Sequence, residues 1–234
     1  SFLLETPMGN NVNRLGALFA GPLLACALWP RRREVLLLCA LPLIYWQFLS
    51  PVQDYFRAKD DASVHAVYYQ GLRQFLRTQP GAYRVEVPFT RSHWEARYVG
   101  LDRPLARGWQ RQLDMKNNGL FYDGTLTPAR YRAWLDELGV RYVALPRDVT
   151  LDHSAQREAA LIRGGLPFLQ PVWHDPHWEV YRVRDAAPLA RGGATLVALS
   201  TDGFTLRATT APTTTVVHVH WSPYWQLERG AGCV

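Results

Sequence analysis

Several polar groups in this chain have the residue types and spacing for chemistry. "RSHWEARY" sets His93 and Glu95 two positions apart, so an extended segment would place both on one face and Trp94 on the other. A His–Glu pair can take and return a proton. A surface strand whose Trp94 packs inward uses the same residues. "HDPH" offers His174, Asp175 and His177, and His218 and His220 alternate along a second apparent strand. Imidazole nitrogens are common zinc ligands, but neither group has a third ligand at a recognisable spacing, and Asp-Pro is turn chemistry. No metal site and no cofactor is read from these positions.

The richest polar stretch is "RGWQRQLDMKNNGLFYDG", with Arg107, Trp109, Arg111, Asp114, Asn117, Asn118 and Asp123. A tryptophan face stacks on a sugar ring, while guanidinium and amide groups supply planar donors and acceptors for hydroxyls. The glycan-binding expectation is therefore Arg107, Trp109, Arg111, Asn117 and Asn118. An ordered loop capping a sheet would use the same residue types. Asp114 and Asp123 raise the question of a glycosidase carboxylate pair, but nothing in the sequence fixes their separation. The chain has no GxSxG, P-loop, GxGxxG or HExxH pattern. At the N-terminus, "ETPMGNNVNRLG" places Glu5, Asn10, Asn11, Asn13 and Arg14 ahead of an apolar run, where a lipid headgroup or diphosphate would meet them. An ordinary interfacial loop also fits.

The elements that must position these groups divide sharply by composition. Mean hydropathy over the 234 residues is −0.17, but residues 15–30 and 35–53 carry no charge, while charges recur every few positions after Phe56. A spanning helix needs about 20 apolar residues. The two runs read as transmembrane helices over 15–53, the first slightly short, with Pro22 and Pro42 inside them and Trp29, Tyr45, Trp46 and Phe48 toward the ends as interfacial anchors. A cleaved signal would need a basic start, a small-residue cleavage site and no second apolar run. Arg31, Arg32 and Arg33 make the tight loop at 30–34 strongly basic, which keeps such a loop in the cytoplasm. The topology then puts residues 1–14 and 57–234 outside.

Net charge is +6, and nearly all of the 26 basic residues are arginines. Outside the triplet they are scattered singly, which argues for a solvated surface and against a nucleic-acid partner. Cys26 and Cys39 lie within the apolar runs and Cys233 stands alone, so no disulfide or metal framework is read. The start at Ser1 and the stop at "RGAGCV" read as a piece of a longer protein.

"DDASVHAVYYQGLRQFLRTQPG" reads as one amphipathic helix, with Val64, Val67, Tyr68, Leu72, Phe75 and Leu76 on its stripe. "AYRVEVPF" follows as a strand. "TPARYRAWLDELG" is a helix capped by Thr127, with Pro128 in its first turn and Gly139 closing it. "VRYVALP", the capped helix "DHSAQREAALIRGG", and the strands "LPFLQPVW" and "HWEVYRV" complete an α/β layer over 57–186, with a right-handed crossover. From 192 to 234, "ATLVALS", "GFTLRATT", "TTVVHVHW" and "YWQLE" alternate as short strands. The fold expectation is thus a membrane α-hairpin, an extracytoplasmic α/β domain, and an incomplete β-sandwich-like module.

Four stretches also carry a resemblance: "TPMGNNVNRLGALFAGPLL", "LDELGVRYVALP", "HWEVYRV" and "VVHVHWSPYW". Together they resemble the C-terminal end of large polytopic bacterial membrane proteins of the glycosyltransferase-C-like and YfhO-like group, especially the actinobacterial members. The resemblance implies transfer of sugars from polyprenyl-phosphate donors to extracytoplasmic acceptors in cell-envelope assembly. It also implies a catalytic carboxylate in an early outer loop upstream of this chain, so no catalytic residue is carried over. The implied partners are the lipid bilayer and a polyprenyl-phosphate sugar or envelope glycan. The alternative is a non-catalytic transporter or envelope-assembly protein whose outer domain is a docking module.

Overall fold

The computed structural model describes residues 11–200, 202–209 and 212–233, with residues 11–14 as backbone only. The chain divides into two compact units, Ser1–Asp61 and Ala62–Val234. The α/β layer and the C-terminal strands therefore belong to one unit.

The first unit is a pair of apolar helices, α1 (Asn11–Leu28) and α2 (Arg33–Lys59). Between them the Arg31 and Arg32 amides both return to the Leu28 carbonyl, at 3.1 and 2.7 Å. Arg33 lays its guanidinium 5.0 Å from the Trp29 ring centroid. Glu34 in the first turn of α2 and Arg57 and Lys59 in its last complement the helix dipole. Gly16 lets the two helices approach closely: a Cβ there would lie 3.0 Å from the Trp46 ring. No residue of α2 is buried, and Leu37, Leu38 and Leu41 are 72–79% exposed. A row of exposed leucines is unfavourable in water and favourable in lipid. At about 1.5 Å per residue α2 is roughly 40 Å long, against about 30 Å for a bilayer's hydrocarbon core.

By length and composition α2 can cross a membrane. The apolar part of α1, Leu15–Leu28, is shorter, about 21 Å by the same rise. Of the two spans expected over 15–53, the first is thus the shorter, and only the second is long enough by this measure. The loop expected over 1–14 is also modified. Asn11, Asn13 and Arg14 lie in the backbone of α1, whereas Glu5 and Asn10 fall outside the described residues.

In the second unit the helix expected from Asp60 onward is interrupted. Ala62–Val64 and Ala66–Tyr69 are 3-10 turns, and only Gln70–Thr78 is α-helix, α3. Side-chain bonds hold the turns in place. The Tyr69 hydroxyl donates to the Ser63 carbonyl at 2.9 Å, and the Trp178 indole N–H donates to the Tyr68 carbonyl at 2.9 Å. The tighter 3-10 period rotates Val67 off the apolar stripe, and it is 71% exposed.

The chain continues through β1 (Arg84–Glu86), α4 (Glu95–Tyr98), α5 (Arg111–Asn117), α6 (Pro128–Glu137), β2 (Val140–Pro146), α7 (Gln156–Arg163), β3 (Leu169–His174) and β4 (Trp178–Val183). The sheet order is β1-β2-β4-β3. β1 and β2 run parallel across the helical connection, and the other pairs are antiparallel. Thr127 caps α6 through its hydroxyl, which accepts the Arg130 amide. Gly139 ends that helix with φ +64, where a Cβ would also lie 2.7 Å from Leu189. Pro171 sits on β3, an edge strand, where its missing N–H is tolerated.

The two faces of the sheet are covered differently. Tyr142, Ala144, Trp178 and Val180 pack with α3 and the 3-10 turns before it, including Tyr68, Tyr69, Leu72 and Leu76. Val140, Val143, Leu145 and Val183 pack with α6 and α7 through Tyr131, Trp134, Leu135, Ala159 and Ile162. The irregularity between Arg84 and Val85 skips Arg141 in the β1–β2 register, so Val140 and Val143 reach the same core.

The C-terminal region differs from the expected sandwich. β5 (Ala190–Gly192) pairs with β8 (Thr215–Val217), and β6 (Ala194–Leu199) pairs with β7 (Phe204–Ala208). Among the described residues these are two two-stranded ribbons, not two packed sheets. "YWQLE" forms no strand. Instead the Trp225 ring packs 5.3 Å from that of Phe204, and its indole N–H donates to the His220 carbonyl.

Candidate functional site

The stretch expected to meet glycan is split between the inside and the outside of the domain. The chain leaves β1 and returns beside it, where Val85 bridges Leu105, and the next turn drives Arg107 inward. Its side chain is fully buried, with the guanidinium 4.2 Å from the Phe89 ring centroid and 3.8 Å from that of Phe121. Nε and Nη2 donate in a fork to both oxygens of Asp114, at 3.1 and 2.7 Å, and Nη1 donates to Glu158 at 3.2 Å. Glu86 is 3.7 Å from Nη1. It lies on the opposite face of β1 from Val85 and Val87, as strand alternation requires.

Further donors satisfy Asp114 and Glu158, whereas both Glu86 oxygens are buried without a hydrogen-bond partner. Asn118 and Tyr122 donate to Asp114, Trp134 donates to Asn118 at 2.8 Å, and Tyr131 donates to Glu158 at 2.8 Å. Three carboxyls surround one guanidinium, so full ionisation would bury excess negative charge. Desolvation, then the neighbouring Glu158 charge, pushes the Glu86 carboxyl well above the usual range. Burial thus favours the protonated form of Glu86, and the Glu158 pKa is likewise raised by burial despite Arg107. Burial alone would lower Arg107, but its carboxylates more than reverse that.

Arg107 and Asn118 are therefore core, which corrects their expected place on the glycan surface. The outer side of the same segment keeps Trp109, Arg111 and Asn117 exposed, with Trp109 58% accessible. Arg111 is anchored to Asp152 at 2.6 Å. Burial would raise Asp152, but Arg111 and the Ser154 amide and hydroxyl hold it down at about 2.

His93 completes this rim. "RSHWEARY" is not extended: His93 has φ +56 and precedes the short helix α4, while Trp94 is 40% exposed and stacks on Tyr98. The turn buries Glu95, which accepts the Thr90 hydroxyl at 2.6 Å. The imidazole lies between two carboxylates, Nδ1 3.5 Å from Glu95 and Nε2 3.7 Å from Asp152. Neither approach is a hydrogen bond, and His93 Nδ1 and one Glu95 oxygen are buried without a hydrogen-bond partner.

The remaining candidates are structural. Asp114 is buried on Arg107, while Asp123 is exposed and turns the chain through the Thr125 amide and hydroxyl; the two share no face as a glycosidase pair would. Asp175 accepts the His177 and Trp178 amides at 2.8 and 2.6 Å. His177 pairs with Asp148, which also accepts the Tyr68 hydroxyl. His218 lies past the end of β8, not on a shared strand face with His220, and donates from Nδ1 to the Glu137 carbonyl. Among the described residues no group of His, Cys, Asp or Glu is arranged to hold a metal ion.

The sequence reading missed Glu86 and Glu158, and the hydroxyl role of Tyr131, whose ring it places on the apolar stripe of α6. The available signal was a glutamate set among apolar neighbours in "RVEVPF" and "REAALI". Comparison with known proteins returns no matching family model, no similar curated protein and no similar solved structure.

Proposed function

We propose that this chain is the C-terminal, membrane-anchored region of an envelope-glycan assembly protein. In this reading the helix pair inserts with Arg31, Arg32 and Arg33 on the cytoplasmic side and residues 57–234 outside. The outer domain presents Trp109, Arg111 and Asn117 to a polyprenyl-phosphate sugar or an envelope glycan. One observation carries it: Trp109 is a large exposed aromatic face on a segment clamped from beneath by the Arg107 cluster, beside a guanidinium fixed by Asp152. A preorganised aromatic and donor pair loses little entropy on meeting a sugar ring. The resemblance to glycosyltransferase-C-like proteins supports the same partner class and puts the reacting carboxylate outside this chain.

Titrating the full-length protein in nanodiscs with envelope oligosaccharide tests it. Saturable binding that Trp109→Ala abolishes is expected; binding unchanged by that substitution would overturn the assignment. A docking role is the second reading, favoured by Trp221 and Tyr224, which are 79% and 84% exposed. It expects no saccharide binding and loss of partner capture on their substitution.

A further inference from the structure

The outer face of α3 carries a groove of about 700 Å³ that the glycan reading does not use. Gln70, Arg73, Gln74, Arg77 and Thr78 line it. Arg73 and Arg77 stand four positions apart on one helix face, where like charges repel. Asp102 relieves this by taking both: Nε of Arg73 donates at 2.6 Å, and Nε and Nη2 of Arg77 donate at 3.0 and 2.7 Å. Burial would raise the Asp102 pKa, but the two guanidiniums hold it down.

One carboxylate thus fixes two guanidiniums and leaves the groove with a net positive charge. Pinning the loop at Asp102 to α3 needs only one of these arginines. Among the described residues the Nη1 groups of both arginines and the side-chain amides of Gln70 and Gln74 have no hydrogen-bond partner. Asp102 presets the two guanidiniums, so an arriving anion need not order them, while the Gln70 and Gln74 amides can turn toward it. Planar guanidinium forks match the oxygens of a phosphate better than they match a halide or a lone hydroxyl.

We propose that the α3 groove binds a phosphate or diphosphate group. The proposal deepens the glycan reading, because a polyprenyl-phosphate sugar carries such a group, yet its residues are separate from those around Trp109.

The experiment uses the full chain in phosphatidylcholine nanodiscs, titrated with inorganic diphosphate at low ionic strength. Saturable binding is expected that weakens about tenfold or more in Arg77→Gln, the loss of one charge-assisted contact, and that declines with added salt. Gln74→Glu puts a negative charge into the groove without touching Asp102, and should weaken binding at an unchanged melting temperature. Repeating the titration in discs containing phosphatidic acid identifies the source. Competition from the lipid means a headgroup occupies the groove, and its absence means a soluble phosphate does. No saturable binding in phosphatidylcholine discs, or equal binding by Gln74→Glu and the unmodified chain, overturns the proposal. Trp109→Ala should leave diphosphate binding intact, so failure here and failure of the glycan reading are told apart.

Discussion

The two faces of the four-stranded sheet answer the same burial problem with different chemistry. On the α3 face the core is aromatic and aliphatic: Trp178, Tyr69, Leu72 and Leu76 are fully buried, and the tyrosine and indole groups find backbone partners. On the α6–α7 face the apolar residues surround an ion cluster in which Arg107 holds Asp114 and Glu158. Apolar packing tolerates many arrangements of similar volume. A buried guanidinium with three carboxyl neighbours tolerates very few, since every displaced partner leaves an uncompensated charge. The difference teaches where the domain fixes geometry: the ionic face clamps the segment that carries Trp109, while the apolar face supplies bulk stability.

The comparison can be broken first on its apolar side. Trp178→Ala should cost about 3–5 kcal/mol, read as a lower denaturant midpoint, with little change in the pH dependence of stability. A markedly altered pH dependence would mean the faces are not separable.

The ionic side has its own signature. The folded Glu86 carboxyl is raised above its unfolded value of about 4.3. The folded state therefore keeps a proton that the unfolded chain releases, and this contribution is present below that pH and lost as pH rises toward the folded pKa. Asp152 has the opposite sign: held at about 2, it favours the folded state above about pH 3.9 and loses that contribution as pH falls toward 2. Glu86→Gln should flatten the loss of stability on the alkaline side and leave the acid limb unchanged, as measured by thermal melts across pH. An unchanged alkaline limb would show that Glu86 is not the proton holder. The smallest effect belongs to the rim. Arg111 is about half exposed, so Arg111→Ala should cost under about 1 kcal/mol while shifting the acid limb upward.

The local grammar of the chain was legible because its signals are local. Thr127, Pro128 and Gly139 bound α6 as read, and "VRYVALP" is β2 to the residue. The glycan stretch was legible only as composition. Arg107 and Trp109 are two positions apart, and nothing local states that one is fully buried and the other exposed. That choice is made by Glu86 and Glu158, which reach Arg107 from distant parts of the chain. His93 failed for a related reason. Its alternation fits a strand, but the buried Glu95–Thr90 bond and the left-handed turn override it. The C-terminal strands were overread because alternating apolar residues define strand faces but not which strands pair.

The most direct test compares Arg107→Ala with Trp109→Ala by denaturant unfolding of the full chain. Removing Arg107 strands buried carboxylates and should cost about 3–5 kcal/mol, whereas removing the exposed Trp109 should stay within about 0.5 kcal/mol. A large loss for Trp109→Ala, or a negligible one for Arg107→Ala, would contradict the division of this segment into a clamped interior and a free rim.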